Sequence, residues 1–281
     1  MQAIQRHLLC SVIAAGVVTA SVAATATDAS VWTSERHSSM RLIAGAAPPR
    51  AALVHAGIEV KLDPGWKTYW RYPGDSGVPP RFDFDGSENV KTVAVRWPAP
   101  RHFVDDGGDT IGYKDQVIFP LEIVPVNAAK PVLLRLKLDY AVCEKLCIPA
   151  VGETELLLAS GPSSHVAELK AAAALVPTAA KLDGRAPIAI RTVRRETGAG
   201  HDRVFVDVVA PPAAELELFV EGPTAEWALP LPKPIAGASA GLRRFAFDLE
   251  GIPPGASVPG AKLTLTLVAG QTAIEVATHL N

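Results

Sequence analysis

The stretch "VLLRLKLDYAVCEKLCIPAVGETELLL", residues 132–158, decides the fold class of this chain. Its first half alternates between apolar and mostly polar positions, which is typical of a strand with one face on a core. The apolar positions of one parity are Leu134, Leu136, Leu138, Tyr140 and Val142. A second alternating segment begins near Gly152, so we expect a hairpin whose connection is "CEKLCIPAV", residues 143–151. This connection places Cys143 and Cys147 at a turn that faces solvent.

Short alternating segments also occupy most of the remaining chain, separated by breaks rich in Pro and Gly. Examples are "ALVHAGIEVKL", "KTVAVRW", "VIFPLEIVPV", "RVFVDVVA", "ELELFVE" and "KLTLTLVAG". Many short strands with one buried face predict a mostly β fold of the sandwich type.

One segment departs from this pattern. "SSHVAELKAAAALVPT", residues 163–178, has apolar residues near helical spacing, serines that can cap its start and a proline that ends it. We interpret it as a helix of about three turns. It would join a domain at 30–160 to a second domain at 183–281, within a linker at 161–182. The alternative is a surface helix inside one large domain.

The first 26 residues are typical of a secretory signal peptide. Arg6 and His7 precede an apolar run, and small residues suited to cleavage end near Ala23 or Ala26. An anchoring helix is the alternative, but the run is shorter than the roughly 20 residues that span a bilayer. Cleavage removes Cys10, so the mature chain would keep two cysteines in an oxidising compartment. We therefore expect a soluble, exported protein without membrane insertion.

The charge balance excludes some partners. The formal net charge is −2 for the whole chain and becomes −3 once Arg6 leaves with the signal peptide. A nearly neutral protein gives no electrostatic reason to bind nucleic acid or an anionic membrane.

The cysteine pair has three interpretations from the residues alone. An exposed pair allows thiol-disulfide exchange, which needs a thiolate that a partner sulfur can approach. A structural disulfide that only stabilises the hairpin fits the residues equally well, because a spacing of three intervening residues does not distinguish a redox pair from a structural one. Metal binding needs further ligands, and the histidines of the mature sequence are scattered. We expect no metal site and no cofactor.

Three segments resemble the N-terminal periplasmic domain of the thiol:disulfide interchange protein DsbD, and more closely its ScsB-type (suppressor of copper sensitivity) relatives. They are "YAVCEKLCIP", "LDPGWKTYWRYPGDSGVPP" (62–80) and "IGYKDQVIFPLEI" (111–123). The resemblance covers about residues 40–160. It implies an immunoglobulin-like domain, so the expected fold is mostly β, with two immunoglobulin-like β-sandwich domains joined by a short helix.

The resemblance also implies roles for residues. Cys143 and Cys147 match the redox pair, and Cys147 matches the cysteine that forms the mixed disulfide with a partner. A flexible loop of the family caps the disulfide with an aromatic side chain, which corresponds here to Phe103 in "RHFVDDGGDTIGYKD". The other positions that match the motifs, expected to wall the site, are Tyr140, Pro149, Trp66, Tyr69, Trp70 and Tyr113.

Two further motifs have simpler interpretations. Gly74-Asp75-Ser76-Gly77 resembles the nucleophile string of trypsin-like proteases, but too little chain precedes it for that fold. "FDFDGSEN", residues 82–89, lacks the spacing of a calcium loop and is better explained as a solvated turn.

Two functions therefore remain. The first is a thiol-disulfide oxidoreductase or electron carrier. It would take electrons from a membrane-embedded thiol donor on a separate chain and pass them to a periplasmic acceptor of the thioredoxin-like or disulfide-isomerase-like type. The second is a non-catalytic secreted binding or accessory module with a structural disulfide. The C-terminal half has no cysteine and no cluster of ligand residues, so we expect it to act as a scaffold or in docking.

Overall fold

The structure is a computed structural model that describes residues 27–74, 77–105, 108–198 and 202–281. The expected signal peptide, the two central residues of the Gly74–Gly77 string and part of the predicted cap loop lie outside these ranges. None of the helical structure in the described ranges reaches the length and apolar character that a bilayer crossing requires.

The N-terminal half forms two antiparallel sheets that enclose one core. The first sheet contains, in spatial order, β1 (Thr33–Glu35), β2 (Ser38–Ala44), β3 (Val54–Leu62), β9 (Gln116–Pro125) and β6 (Val90–Val95). The second contains β11 (Cys147–Leu158), β10 (Val132–Cys143), β4 (Lys67–Gly74), β8 (Gly108–Lys114) and β7 (Arg101–Asp105), with β5 (Arg81–Asp83) also paired to β10. The alternation predicted for β10 is present, since Leu134, Leu136, Leu138, Tyr140 and Val142 are all buried.

The hairpin connection is shorter than expected. Strand β11 begins at Cys147, and the register continues without interruption to the pair Cys143↔Cys147. Only Glu144, Lys145 and Leu146 connect the strands, so the prediction of a connection over 143–151 was wrong. Pro149 lies within β11 because this strand forms the edge of its sheet, where a residue without an N–H is tolerated.

The predicted helix is α1 (Val166–Ala174), nine residues long and therefore about two and a half turns. Leu169 and Ala172 are its buried residues, and the helix packs on β9. Gly57 in β3 makes room for it, because a Cβ there would lie 2.6 Å from Leu169 Cδ2. The helix is thus packed against the first pair of sheets.

The C-terminal half forms two further four-stranded sheets. One contains β12 (Thr178–Ala180), β19 (Thr272–His279), β18 (Lys262–Ala269) and β15 (Leu216–Glu221) in that order. The other contains β13 (Ala189–Thr197), β14 (Asp202–Val209), β17 (Arg243–Asp248) and β16 (Lys233–Ile235). A second core of apolar residues, including Val206, Leu265 and Phe247, lies between them. The expectation of a mostly β fold with immunoglobulin-like sandwiches and a short helix is confirmed.

Strand β4 contacts both halves of the chain. The Trp70 ring lies 5.7 Å from the Phe219 ring, and Phe219 belongs to the core cluster of the N-terminal sheets. Tyr72 donates its hydroxyl hydrogen to the carbonyl oxygen of Leu229 at 2.6 Å. The strand next to the cysteine hairpin is therefore also a contact strand for the C-terminal half.

Candidate redox site

Hairpin β10–β11 brings the two cysteines together. Cys143 is the last residue of β10 and Cys147 the first of β11, and they form a disulfide with a Cα–Cα distance of 4.2 Å. Cys147 is exposed, whereas Cys143 is half-buried. The side chains between them are exposed, including the apolar Leu146 at 73%. A partner sulfur can therefore approach Cys147 more easily than Cys143.

Strand β4 supports the hairpin from its other side. Val142 pairs with Thr68 and Cys143 with Lys67 in the antiparallel register, and Thr68 donates its hydroxyl to the carbonyl oxygen of Ala141 at 2.9 Å. These contacts fix the end of β10 that carries the first cysteine.

Tyr69 touches the disulfide itself. Its hydroxyl oxygen lies 2.9 Å from the sulfur of Cys147, while the residue is only 1% exposed. A hydroxyl is a donor that can stabilise a sulfur anion, so Tyr69 is placed to favour the thiolate of Cys147 in the reduced protein.

Phe103 contacts Lys67, a residue of the site. The Lys67 ammonium lies 5.7 Å from the centroid of the Phe103 ring, in cation–π range. Lys67 is buried and lies opposite Cys143 in the pairing of β4 with β10. The aromatic side chain of the predicted cap segment therefore packs against the residue paired with the first cysteine.

The turn between β3 and β4 lies beside the tip of the hairpin. Gly65 has φ of +90°, and a Cβ added there would lie 3.1 Å from Glu144 Oε1. The next residue, Trp66, is stacked on His37 with ring centroids 3.9 Å apart, and His37 Nδ1 lies 3.0 Å from Asp63 Oδ2. Trp66 thus belongs to a turn that adjoins the cysteine loop.

Tyr140 and Pro149 flank the pair along the hairpin. Tyr140 is buried, its hydroxyl lies 2.8 Å from the Ser38 hydroxyl, and burial raises the pKa of its phenol. Pro149 is exposed and pairs with Ala141 in the register. Tyr140 therefore fixes the hairpin to β2, while Pro149 lies on the open edge next to Cys147.

Trp70 and Tyr113 lie in the core, in the same apolar cluster as Tyr140. Tyr113 packs edge-on against Phe119 at 5.4 Å and donates to the carbonyl oxygen of Pro98 at 2.8 Å. Burial raises its pKa well above the ordinary value. Trp70 is fully buried against Phe219. Their described contacts support the fold around the site.

Lys67 is a site residue that the sequence analysis missed. It lies between Trp66 and Thr68, in a segment whose aromatic residues carry the resemblance. A lysine in a strand ordinarily faces solvent. Only the pairing of β4 with β10, which joins residues more than 70 positions apart, places it beside Cys143.

The acidic turn at residues 83–88 has local partners. Asp83 Oδ1 accepts a hydrogen bond from the backbone N–H of Asp85 at 2.8 Å, and Glu88 pairs with Arg135. Within the described ranges, no group of three or more His, Cys, Asp or Glu side chains is arranged to hold a metal ion.

Known proteins resemble both the sequence and the fold. Residues 46–159 match the family model described as "Thiol:disulfide interchange protein DsbD, N-terminal". The fold is similar to the crystal structure of the N-terminal periplasmic domain of ScsB from Proteus mirabilis, with a TM-score of 0.71 and 21% sequence identity. The superposition covers 91% of this chain and 99% of the ScsB domain. No curated protein matches the sequence. The resemblance to the DsbD N-terminal family is confirmed over residues 46–159, and the resemblance to the ScsB domain is confirmed at the level of the fold.

Proposed function

We propose that this chain is a periplasmic thiol-disulfide exchange protein that passes electrons through Cys143 and Cys147. The electrons would come from a membrane-embedded thiol donor on a separate chain. They would go to periplasmic disulfide proteins of the thioredoxin-like or disulfide-isomerase-like type. The observation that carries the proposal is the exposed residue Cys147, whose sulfur lies 2.9 Å from the hydroxyl of the buried Tyr69.

The exposure of Cys147 supports its assignment as the attacking sulfur. Thiol-disulfide exchange requires an in-line approach of one thiolate to a disulfide sulfur, and a buried thiol cannot make that approach. Cys143 is half-buried and pairs with Lys67, whose ammonium lies over the Phe103 ring. This asymmetry suits Cys147 to contact the partner and Cys143 to resolve the mixed disulfide.

The exchange of thiols and disulfides takes place in two steps. In the reduced protein the Cys147 thiolate attacks one sulfur of the partner's disulfide, and the partner's other sulfur leaves as a thiolate. The Cys143 thiolate then attacks the Cys147 sulfur, which releases the partner's second thiolate and re-forms the Cys143–Cys147 disulfide. The partner gains two electrons and this chain loses two. The membrane thiol donor reduces the chain again by the same two steps in reverse order.

Tyr69 would assist the first step. Its hydroxyl donates to a Cys147 anion more strongly than to a neutral disulfide sulfur, because hydrogen bonds to charged acceptors are stronger. The buried position of the ring keeps this donor in place without an entropic cost at the moment of reaction.

A stoichiometric exchange assay tests the proposal. The reduced mature protein is mixed with the oxidised form of a periplasmic thioredoxin-like protein, and free thiols on each protein are counted after acid quenching. We expect two thiols to appear on the partner for each Cys143–Cys147 disulfide formed. A double Cys143→Ser, Cys147→Ser variant is the control. If the wild-type protein transfers no more than this variant, the pair is a structural disulfide in an accessory module.

A further inference from the structure

One face of strand β15 contacts β4, which pairs with the end of β10 at Cys143, and β7, the edge strand that carries Phe103. Side chains at alternate positions of a strand share a face, so Glu217, Phe219 and Glu221 point the same way. Phe219 packs on Trp70 in β4, and Glu221 accepts two hydrogen bonds from Arg71 in β4 at 2.9 and 2.8 Å. The C-terminal half thereby holds β4 through an aromatic contact and a bidentate ion pair.

Glu217 holds β7 with both of its carboxylate oxygens. Its Oε1 accepts a hydrogen bond from the backbone N–H of His102 at 2.8 Å, and its Oε2 accepts one from Arg101 Nη1 at 3.0 Å. Arg101 also donates to the carbonyl oxygen of Gly270 at 2.9 Å. The Glu217 side chain is 20% exposed, and its bond to the His102 N–H is part-buried, whereas the bonds made by Arg101 are exposed.

The anchoring matters because β7 is an edge strand. It pairs with β8 on one side, with Phe103 opposite Thr110, and the order of the sheet places no strand of that sheet on its other side. Glu217 supplies hydrogen bonds on β7 at the residue immediately before Phe103. After loss of this carboxylate, β7 would be held by β8 and by the bond from Arg101 to Gly270, and the hydrogen bond next to Phe103 would be missing.

Phe103 is linked to Cys143 through Lys67. Its ring packs over the Lys67 ammonium, and Lys67 is paired with Cys143 in the sheet. A shift of β7 would move Phe103 off Lys67 and so change the surroundings of the half-buried Cys143.

We propose that Glu217 is a positioning residue of the redox site. By fixing β7 it keeps Phe103 packed on Lys67 beside Cys143, and it thereby slows attack on the disulfide by small thiols. The inference rests on the proposed function of the cysteine pair and gives the C-terminal half a role in the chemistry of the site. Glu217 acts through Phe103, and the reacting sulfur atoms belong to the hairpin.

The test measures the rate at which dithiothreitol reduces the disulfide in the full mature chain. In Glu217→Ala we expect roughly tenfold faster reduction, because both hydrogen bonds from β7 to this carboxylate are lost. Glu217→Gln keeps an acceptor for the His102 N–H, so its rate should lie between those of Glu217→Ala and the wild type. The matched control is Glu215→Ala, an exposed acidic residue two positions earlier, which should react at the wild-type rate.

Two further readouts separate positioning from a general loss of structure. The equilibrium constant with dithiothreitol should stay unchanged, because easier access to the sulfur atoms speeds reduction and re-oxidation by the same factor. Phe103→Ala alone should accelerate reduction, and Glu217→Ala should add nothing in that background. The inference is overturned if Glu217→Ala reacts at the wild-type rate, or if it accelerates the Phe103→Ala variant by the same factor as the wild type.

Failure of this test and failure of the proposed function can be distinguished. The assay uses a small dithiol and no protein partner, so failure to exchange with a thioredoxin-like protein would leave the Glu217 result standing. A wild-type rate in Glu217→Ala, with normal exchange, would contradict the positioning role alone.

Discussion

The hydroxyl oxygen of Tyr69 lies 2.9 Å from the sulfur of Cys147, although the two residues are 78 positions apart in the chain. The contact depends on the pairing of β4 with β10, which brings a buried tyrosine to the first residue of β11. A phenol hydroxyl stabilises a sulfur anion more than it stabilises a disulfide sulfur. The relationship therefore supports the proposal that Cys147 is the reactive cysteine of the pair.

Removing that hydroxyl should slow the reaction of the reduced protein. We expect Tyr69→Phe to be alkylated by iodoacetamide at Cys147 roughly tenfold more slowly at neutral pH, because the thiolate loses one charge-assisted hydrogen bond. Mass spectrometry after timed quenching measures the rate at each cysteine. Tyr72→Phe is the matched control, since it removes a hydroxyl on the same strand that bonds to the Leu229 carbonyl oxygen. Equal rates in Tyr69→Phe and the wild type would show that the hydroxyl does not act on Cys147.

The order of attack can be tested by trapping. A Cys143→Ala variant cannot resolve a mixed disulfide, so it should accumulate a covalent complex with a thioredoxin-like partner through Cys147. Cys147→Ala should trap far less, because Cys143 is half-buried. Non-reducing electrophoresis of the two variants measures the difference. More complex with Cys147→Ala than with Cys143→Ala would reverse the assignment.

Arg71 joins the two halves of the chain, and its loss should destabilise both. Burial lowers the pKa of Arg71, but hydrogen bonds and charge attraction from Glu221 and Glu275 raise it above its ordinary value. Arg71→Met leaves these two carboxylates uncompensated. We expect a loss of about 2–3 kcal/mol, less than for a fully buried pair, because 27% of the Arg71 side chain is exposed.

Urea unfolding monitored by tryptophan fluorescence measures this loss. Arg135→Met is the matched control, since Arg135 pairs with Glu155 on the surface and its removal should change the unfolding midpoint far less. Similar midpoints for the two variants would contradict the view that Arg71 is an energetic link between the halves.

Much of the β-sheet structure can be predicted from the sequence, because the alternation of apolar and polar residues along a strand such as β10 depends only on neighbouring residues. The length of the hairpin connection was mispredicted since "CIPAV" lacks clear alternation and includes Pro149, which is tolerated only because β11 is an edge strand.

The wall of the site was harder to predict. Tyr69 and Trp70 are consecutive in one strand and so face opposite sides of the sheet, which allows only one of them to face the cysteines. The sequence pattern does not tell which. Lys67 and Glu217 depend on strand pairing and on packing between the two halves, which no local pattern encodes.

The C-terminal half should show a specific acid sensitivity. Hydrogen bonds from Arg244, at 2.6 and 2.9 Å, hold the pKa of Asp207 below its ordinary value of 3.8, and the carboxylate is only 7% exposed. A carboxyl with a lowered folded-state pKa contributes stability above its unfolded pKa and loses it as the pH falls through the folded value. The stabilisation from Asp207 is therefore complete at neutral pH and disappears below 3.8.

Comparison of the wild type with Asp207→Asn checks this sign. The wild type should have the higher Tm near neutral pH, and the difference should shrink as the pH is lowered below 3.8. Differential scanning calorimetry at a series of pH values measures it. A difference in Tm that stays constant down to the lowest pH would show that Asp207 contributes through packing and not through its charge.

The reduction potential of the Cys143–Cys147 pair tests the central claim most directly. The purified mature protein is equilibrated with defined ratios of reduced and oxidised glutathione or dithiothreitol, and the two redox forms are quantified after alkylation. A pair that exchanges with partners should have a potential between roughly −120 and −270 mV. A value far below about −300 mV, the range of structural disulfides, would contradict the proposed exchange function.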